Sequence, residues 1–252
     1  MVHIVGAGAG DPELITVKGK GLLEKADVVI YAGSLVNPKL LDCCRAEAAI
    51  YNSASMTLEE VIAVIKQAAE EGKDIVRLHT GDPSIYGAIR EQMDELRRNN
   101  IDFEIVPGVS SFAAVAAALE LEYTLPGVTQ TLIITRREGR TPMPESEKLP
   151  LLAAHGASMC IFLSANMIAE TVADLSAGGY AADTPAAVVQ KASWPGEEKI
   201  LRGTLSDIAE KVKKAGIDRT AMIVVSRALG DDYELSRLYA ADFSHGCRKA
   251  SK

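Results

Sequence analysis

Residues 2–19 read VHIVGAGAGDPELITVKG. A short apolar run ends in a glycine-rich turn, and Asp11-Pro12 follows, an aspartate suited to cap a helix and a proline suited to its first turn. A strand that stops at glycine and hands over to a helix is the opening of a βα unit. Such units build parallel sheets, whose strands are buried on both faces and so carry few alternating polar residues.

The pattern repeats outward from that point. VVIYAG, residues 28–33, is β-branched and apolar. Leu58, Val61, Ile62, Ile65, Ala68 and Ala69 recur at helical spacing, Thr57 and Glu60 form a capping box, and Gly72 ends the helix. DIVRLH (74–79) is a strand leading to TGDPSIYG, from which a helix is expected to run through Arg98. FEIV (103–106) leads to PGVSSF and an alanine-rich helix over 111–119. After Pro126-Gly127 come the strand TLIIT (131–135), a polar stretch over 136–148 and a helix around 147–155. Strand MCIFLS (159–164), a helix near 166–177, strand AAVVQ (186–190), a helix at 205–215 and strand AMIVVS (221–226) complete the series. SHGCRKASK (244–252) has no periodicity and is expected to fray. The resulting fold class is α/β, with two domains, 1–122 and 123–252, each expected to hold a mostly parallel sheet.

The 252 residues are enough for two such domains, and 48% hydrophobic with 24% charged residues is a globular mixture. A net charge of −7 argues against a nucleic-acid binder, which needs a basic face. No apolar run approaches the roughly 20 residues that span a bilayer. The first ten residues lack the basic segment and cleavage region of a signal peptide, so a cytoplasmic protein is expected. Cys43, Cys44, Cys160 and Cys247 contain no Cys-x-x-Cys pair, and His3, His79, His155 and His245 are scattered, so no protein-bound metal is expected.

Three loops at strand ends carry the candidate chemistry. Gly6-Ala7-Gly8-Ala9-Gly10-Asp11 resembles a dinucleotide fingerprint only superficially: Asp11 stands where a third glycine is needed, and the second strand ends without an acid for the ribose. A carboxylate there repels a pyrophosphate. Asp11 is then either a helix cap or a carboxylate at the lip of a site. Thr80-Gly81-Asp82-Pro83 poses the same choice for Asp82. Pro107-Gly108-Val109-Ser110-Ser111 offers hydroxyls and amides that bind a small polar ligand or cap a helix. Arg136, Arg137 and Arg140 either pair with ligand carboxylates or lie in a solvated loop. These residues define a small-molecule site and no reaction.

Taken together, GAGAGDPELITVKG (6–19), HTGDPSIYG (79–87) and PGVSSF (107–112) resemble the three successive signatures of the tetrapyrrole methylase family, with Ala9 where relatives carry proline and Thr80 where many carry glycine. YAGSLVNP (31–38) and LPGVTQTLIITRREGRTPMPE (125–145) are similar to the branch whose acceptor is precorrin-4 or cobalt-precorrin-4, methylated at carbon 11. The resemblance implies two α/β domains, S-adenosyl-L-methionine in the cleft between them, S-adenosyl-L-homocysteine as product, and a homodimer. It implies that Thr80, Gly81, Asp82 and Ile85 follow the methionine moiety and ribose, and that Ser110 and Ser111 continue that surface. It further implies that Leu163, Ala187, Thr220 and Ala221 line an adenine pocket, and that Asp11, Ser34 and Arg136 belong to the tetrapyrrole trough. It assigns no catalytic base. Methylation of uroporphyrinogen, or binding of corrin intermediates without turnover, are the readings it leaves beside the main one.

Overall fold

In a computed structural model of the chain, which describes residues 1–250 and leaves out the side chain of Ser34, the first strand is β1 (Val2–Gly6). It is followed by α1 (Val17–Leu23), β2 (Val28–Tyr31), β3 (Ala49–Asn52), α2 (Leu58–Glu70), β4 (Ile75–His79), α3 (Arg90–Arg98), β5 (Phe103–Val106) and α4 (Ser111–Leu119). The five strands form one sheet in the order β3-β2-β4-β1-β5, and every pairing in it is parallel. Val2, Ile4, Val28, Ile30 and Ile75 pack on one face against Val61, Ile62, Ile65 and Leu96 of the helices. Val5, Val29, Val76, Leu78 and Val106 pack on the other against Leu23, Val36 and Leu40. Burial on both faces is why these strands read as continuous apolar runs.

The remaining elements are β6 (Leu132–Arg136), α5 (Leu149–Ala153), β7 (Ser158–Phe162), α6 (Ile168–Ala177), β8 (Pro185–Gln190), β9 (Lys199–Thr204), α7 (Ile208–Lys214) and β10 (Ala221–Val225). Their sheet runs β6-β7-β10-β8-β9. Here only β6 and β7 are parallel, while β10 is antiparallel to β7 and β8, and β9 is antiparallel to β8. Parallel pairings predominate over the two sheets together, but the second sheet is mixed where a mostly parallel one was expected. The difference comes from β9, which returns along β8 through a short link and needs no crossover helix.

The chain divides into two units, Met1–Val115 with Lys191–Glu198, and Ala116–Gln190 with Lys199–Lys252. The boundary expected at 122/123 thus falls inside α4, and an eight-residue segment between β8 and β9 belongs to the first unit. Two further expectations change. Pro12 starts only a short 3-10 turn (Pro12–Leu14), and α1 begins at Val17 under the cap of Thr16, whose Oγ1 accepts from the Gly19 amide at 3.0 Å. The segment 83–89 is a series of turns with Tyr86 at φ 53° and Ala88 at φ 48°, so α3 starts only at Arg90. Residues 244–250 fold back instead of fraying: Arg248 donates to the carbonyls of Leu238 and Ala240 at 2.9 and 2.6 Å.

Candidate functional site

Because the first sheet is wholly parallel, all its βα loops leave from one edge, the edge where open α/β sheets bind ligands. The neighbours β4, β1 and β5 end at His79, Gly6 and Val106, which brings the three quoted loops side by side. Backbone bonds stitch the first two together. The Ala7 amide donates to the His79 carbonyl at 2.7 Å, and Gly8 and Gly81 exchange bonds of 3.3 and 2.9 Å. The third loop is pressed onto both. A Cβ on Gly108 would stand 2.2 Å from the Gly81 carbonyl oxygen, and one on Gly6 would stand 2.6 Å from Gly108 Cα. These glycines are therefore required for the loops to approach each other, before any ligand is considered.

Asp82 joins the second and third loops. Its Oδ1 accepts from the Ser84 amide at 2.8 Å and from the Ser84 hydroxyl, and its Oδ2 accepts from the Gly108 amide at 2.8 Å. Burial pushes its pKa up, but the bonds from the Ser84 hydroxyl, the Gly108 amide and the Ser84 amide outweigh it and hold the carboxyl below its ordinary value. The helix-cap alternative is not met, because no helix starts there, and the carboxylate instead ties the second loop to the third. Around it, Thr80 donates its hydroxyl to the Leu35 carbonyl at 2.7 Å, Gly81 takes φ 60°, Ile85 is half-buried in the turns, Ser110 is buried, and Ser111 is half-buried at the start of α4. Beneath the edge, burial and then the charge of Arg77 push the His79 pKa down to about 3, so its imidazole is neutral.

Asp11 lies on the first loop, with Oδ1 accepting from the Glu13 amide at 2.9 Å. Its own amide donates to Ser193 Oγ at 3.1 Å, and the preceding Gly10 carbonyl accepts from Asn37 Nδ2 at 2.8 Å. Ser193 and its neighbours went unnoticed in the sequence. The available signal was the chain's single tryptophan, Trp194, set among turn residues in KASWPGEE (191–198). Ser34 sits in a 3-10 turn after β2 (Gly33–Leu35), and its side chain lies outside the described residues.

In the second unit the β6–β7 pairing sets Arg136 opposite Phe162. Leu163 follows the last residue of β7, and Thr220 and Ala221 stand at the start of β10, which runs antiparallel to β7. Arg136, Leu163, Thr220 and Ala221 thus share one end of this sheet. Leu163 is 62% exposed and holds φ 52°, and Thr220 holds φ 51°, conformations that residues with a Cβ adopt only where the surroundings impose them. Ala187 is not at that end. It pairs with Val224 inside β8 and has no exposed surface, so its side chain lines no open pocket. Arg136 curls its own loop, donating from Nη1 to the Thr141 carbonyl at 3.2 Å and from Nη2 to the Pro142 carbonyl at 2.8 Å. Arg137 pairs with Asp174 at 2.6 Å, and Arg140 is exposed. Among the described residues no cluster of His, Cys, Asp or Glu could hold a metal ion, and no helix is long and apolar enough to cross a membrane.

A wholly parallel first sheet with three stitched loops at its carboxyl edge, followed by a mixed second sheet flanked by helices, defines an α/β protein of two units. The chain belongs to the tetrapyrrole (corrin/porphyrin) methylase family, whose pattern matches residues 1–209. It is 60% identical to the cobalt-precorrin-4 C(11)-methyltransferase of Methanocaldococcus jannaschii, over 100% of this chain and 97% of that protein. It is 47% identical to the precorrin-4 C(11)-methyltransferase of Pseudomonas aeruginosa, over 97% of both. A crystal structure of a cobalt precorrin-4 methyltransferase matches with a TM-score of 0.89 at 48% identity, covering 91% of this chain and 96% of that one. A uroporphyrin-III C-methyltransferase from Thermus thermophilus, complexed with S-adenosylhomocysteine, matches with a TM-score of 0.75 at 26% identity, covering 90% and 92%.

Proposed function

We propose that this chain transfers a methyl group from S-adenosyl-L-methionine to carbon 11 of precorrin-4, with or without cobalt in the ring, as a step of cobalamin biosynthesis. The observation that carries the reading is identity along the whole chain to relatives named for that reaction, against weaker identity to the relative named for uroporphyrin. The stitched loops fit the donor's chemistry. An S-adenosylmethionine presents a sulfonium and an ammonium, both cations, and the edge offers a carboxylate held ionised at Asp82 and the hydroxyls of Ser110 and Ser111. In the second unit Leu163, Thr220 and Ala221 are assigned to the adenine, with Leu163 as the apolar platform. Ala187, buried inside β8 away from that end, is assigned no contact with the donor.

The sulfonium supplies an activated methyl group when bound. The bond from sulfur to the methyl carbon breaks as the ring carbon forms its own, and the donor leaves as a neutral thioether. What the protein adds is alignment and exclusion of water, which account for most of the rate in such a transfer. Asp11, on the same edge, is assigned to stabilise positive charge that develops on the macrocycle. Arg136 and Arg140 are the local cations for the acceptor's carboxylates, which the net charge of −7 otherwise repels. The reading carries a homodimer with it.

The test is incubation with methyl-labelled donor and with precorrin-4 or cobalt-precorrin-4 in parallel, followed by location of the label on the ring. Label at carbon 11 in either arm supports the proposal, and the faster arm identifies the metal state of the acceptor. Saturable binding without transfer would make the chain a carrier, and label elsewhere on the ring would make it a methylase of different regiochemistry.

A further inference from the structure

The segment Lys191–Glu198 has no role in the proposed function, yet it is tightly held beside the first loop. Lys191, Ser193 and Gly196 hold φ of 51°, 65° and 75°. The segment closes on itself: Trp194 donates its amide to the Lys191 carbonyl at 2.9 Å, and Ser193 donates its amide to Glu198 Oε2 at 2.7 Å. Lys191 pairs with Glu197 and sets its ammonium 4.9 Å over the Trp194 ring. Two positive φ values at non-glycine residues persist only where the surroundings over-determine them.

What this closed turn presses on is Gly10. A Cβ there would lie 2.1 Å from Trp194 Cδ1 and 2.3 Å from its Nε1, so the indole rests against the bare Cα of a glycine that itself holds φ 150°. One residue on, the Ser193 hydroxyl takes the Asp11 amide at 3.1 Å. From the other side Asn37 holds the Gly10 carbonyl. Gly10 and Asp11 are thus clamped between an aromatic wall and two polar bonds. The Asp11 carboxylate is itself tied within its own turn, accepting from the Glu13 amide at 2.9 Å, so its direction follows the loop backbone that the strap holds.

We propose that Ser193 and Trp194 are positioning residues of the acceptor site, fixing the Gly6–Asp11 loop in the one conformation that presents the Asp11 carboxylate to the tetrapyrrole. The inference rests on Asp11 facing the acceptor, and it assigns the strap no part in donor binding. Removing the indole frees Gly10 to use the wide conformational range open to glycine, so Asp11 loses orientation while the second and third loops keep their own ties through Asp82.

The test measures Trp194→Ala, Trp194→Phe and Ser193→Ala in the full chain. Hydrogen exchange of the peptide spanning residues 6–16 should accelerate by about tenfold in Trp194→Ala and less in Ser193→Ala. The KM for the acceptor should rise by about tenfold while the donor KM moves by less than about threefold, with Trp194→Phe restoring most of the loss. Should Trp194→Ala fail to fold, Ser193→Ala carries the same two measurements. Unchanged exchange in residues 6–16, donor and acceptor KM rising together, or no recovery with phenylalanine would each overturn the proposal. If the wild-type chain transfers no methyl group to precorrin-4, the functional reading fails instead, and the exchange measurement still decides whether the strap orders the loop.

Discussion

An asparagine in place of Asp82 keeps the size and one acceptor oxygen, and replaces the other oxygen with an NH2 donor. In the aspartate both oxygens accept, one from Ser84 and the other from Gly108. In Asp82→Asn an NH2 group opposes either the Gly108 amide or the Ser84 donors, leaving a partly buried donor unpaired. That loss costs about 1–3 kcal/mol, whereas a residue that only capped a turn would tolerate asparagine almost silently. Denaturant unfolding of the variant should therefore show a drop in that range, and a drop near zero would mean the tie contributes nothing. The sequence offers Asp82 as a cap or a ligand contact, and its tie to the Gly108 amide stays hidden because that partner is 26 residues away. Ser193 bonds across 182 residues. No local pattern announces a bond of that span, and residues of this kind are the ones the sequence left illegible.

At the level of elements, legibility followed burial. The helix α2 was readable in full because Val61, Ile62, Ile65 and Ala68 are all buried and Thr57 and Glu60 form the capping box seen in the structure. The strands β3 and β9 were missed. Both are edge strands, Ala49–Asn52 and Lys199–Thr204, with most residues exposed or half-exposed, so neither leaves an apolar run. The helix α1 offers a sharper contrast within one element, because Gly19 and Gly21 look alike in the sequence. A Cβ on Gly21 meets nothing within 4 Å, while one on Gly19 would stand 2.9 Å from Val5 Cγ1 and 3.0 Å from Thr16 Oγ1, the capping oxygen. Gly21→Ala should stabilise the protein by about 0.5–1 kcal/mol by removing a helix-interior glycine. Gly19→Ala gains the same propensity but crowds the strand and the cap, so it should be neutral or destabilising by about 1–3 kcal/mol. Midpoints of thermal unfolding for the two variants settle the ordering, and equal shifts would refute it.

For the whole molecule, the two-domain α/β class was legible because each βα transition carries its own punctuation, from Gly6 to Gly108. The mixed second sheet was not, since strand direction depends on which neighbour a strand finds and not on its composition. The same scale decides between cofactors. A dinucleotide needs free amides at a helix start beside the first loop. Here the Asp11 carboxylate already occupies the Glu13 amide, and α1 opens only at Val17. S-adenosylhomocysteine brings no phosphate and meets no such conflict. At about a hundredfold excess over its Kd a ligand that binds only the folded protein adds about 2.7 kcal/mol, which for a chain of this size raises the midpoint by roughly 5–10 °C. Calorimetry with S-adenosylhomocysteine should show a rise of that order with one site per chain, and NAD or NADP at the same concentration should show none. Because the chain comprises two units, the trace can hold two transitions, and the one that moves identifies the unit on which donor binding depends. The proposed assignment of Thr80, Asp82 and Ser110 to the donor predicts that the first unit's transition moves, so a shift confined to the second transition would reverse that assignment. A rise with NAD equal to that with S-adenosylhomocysteine would restore the dinucleotide reading that Asp11 argues against.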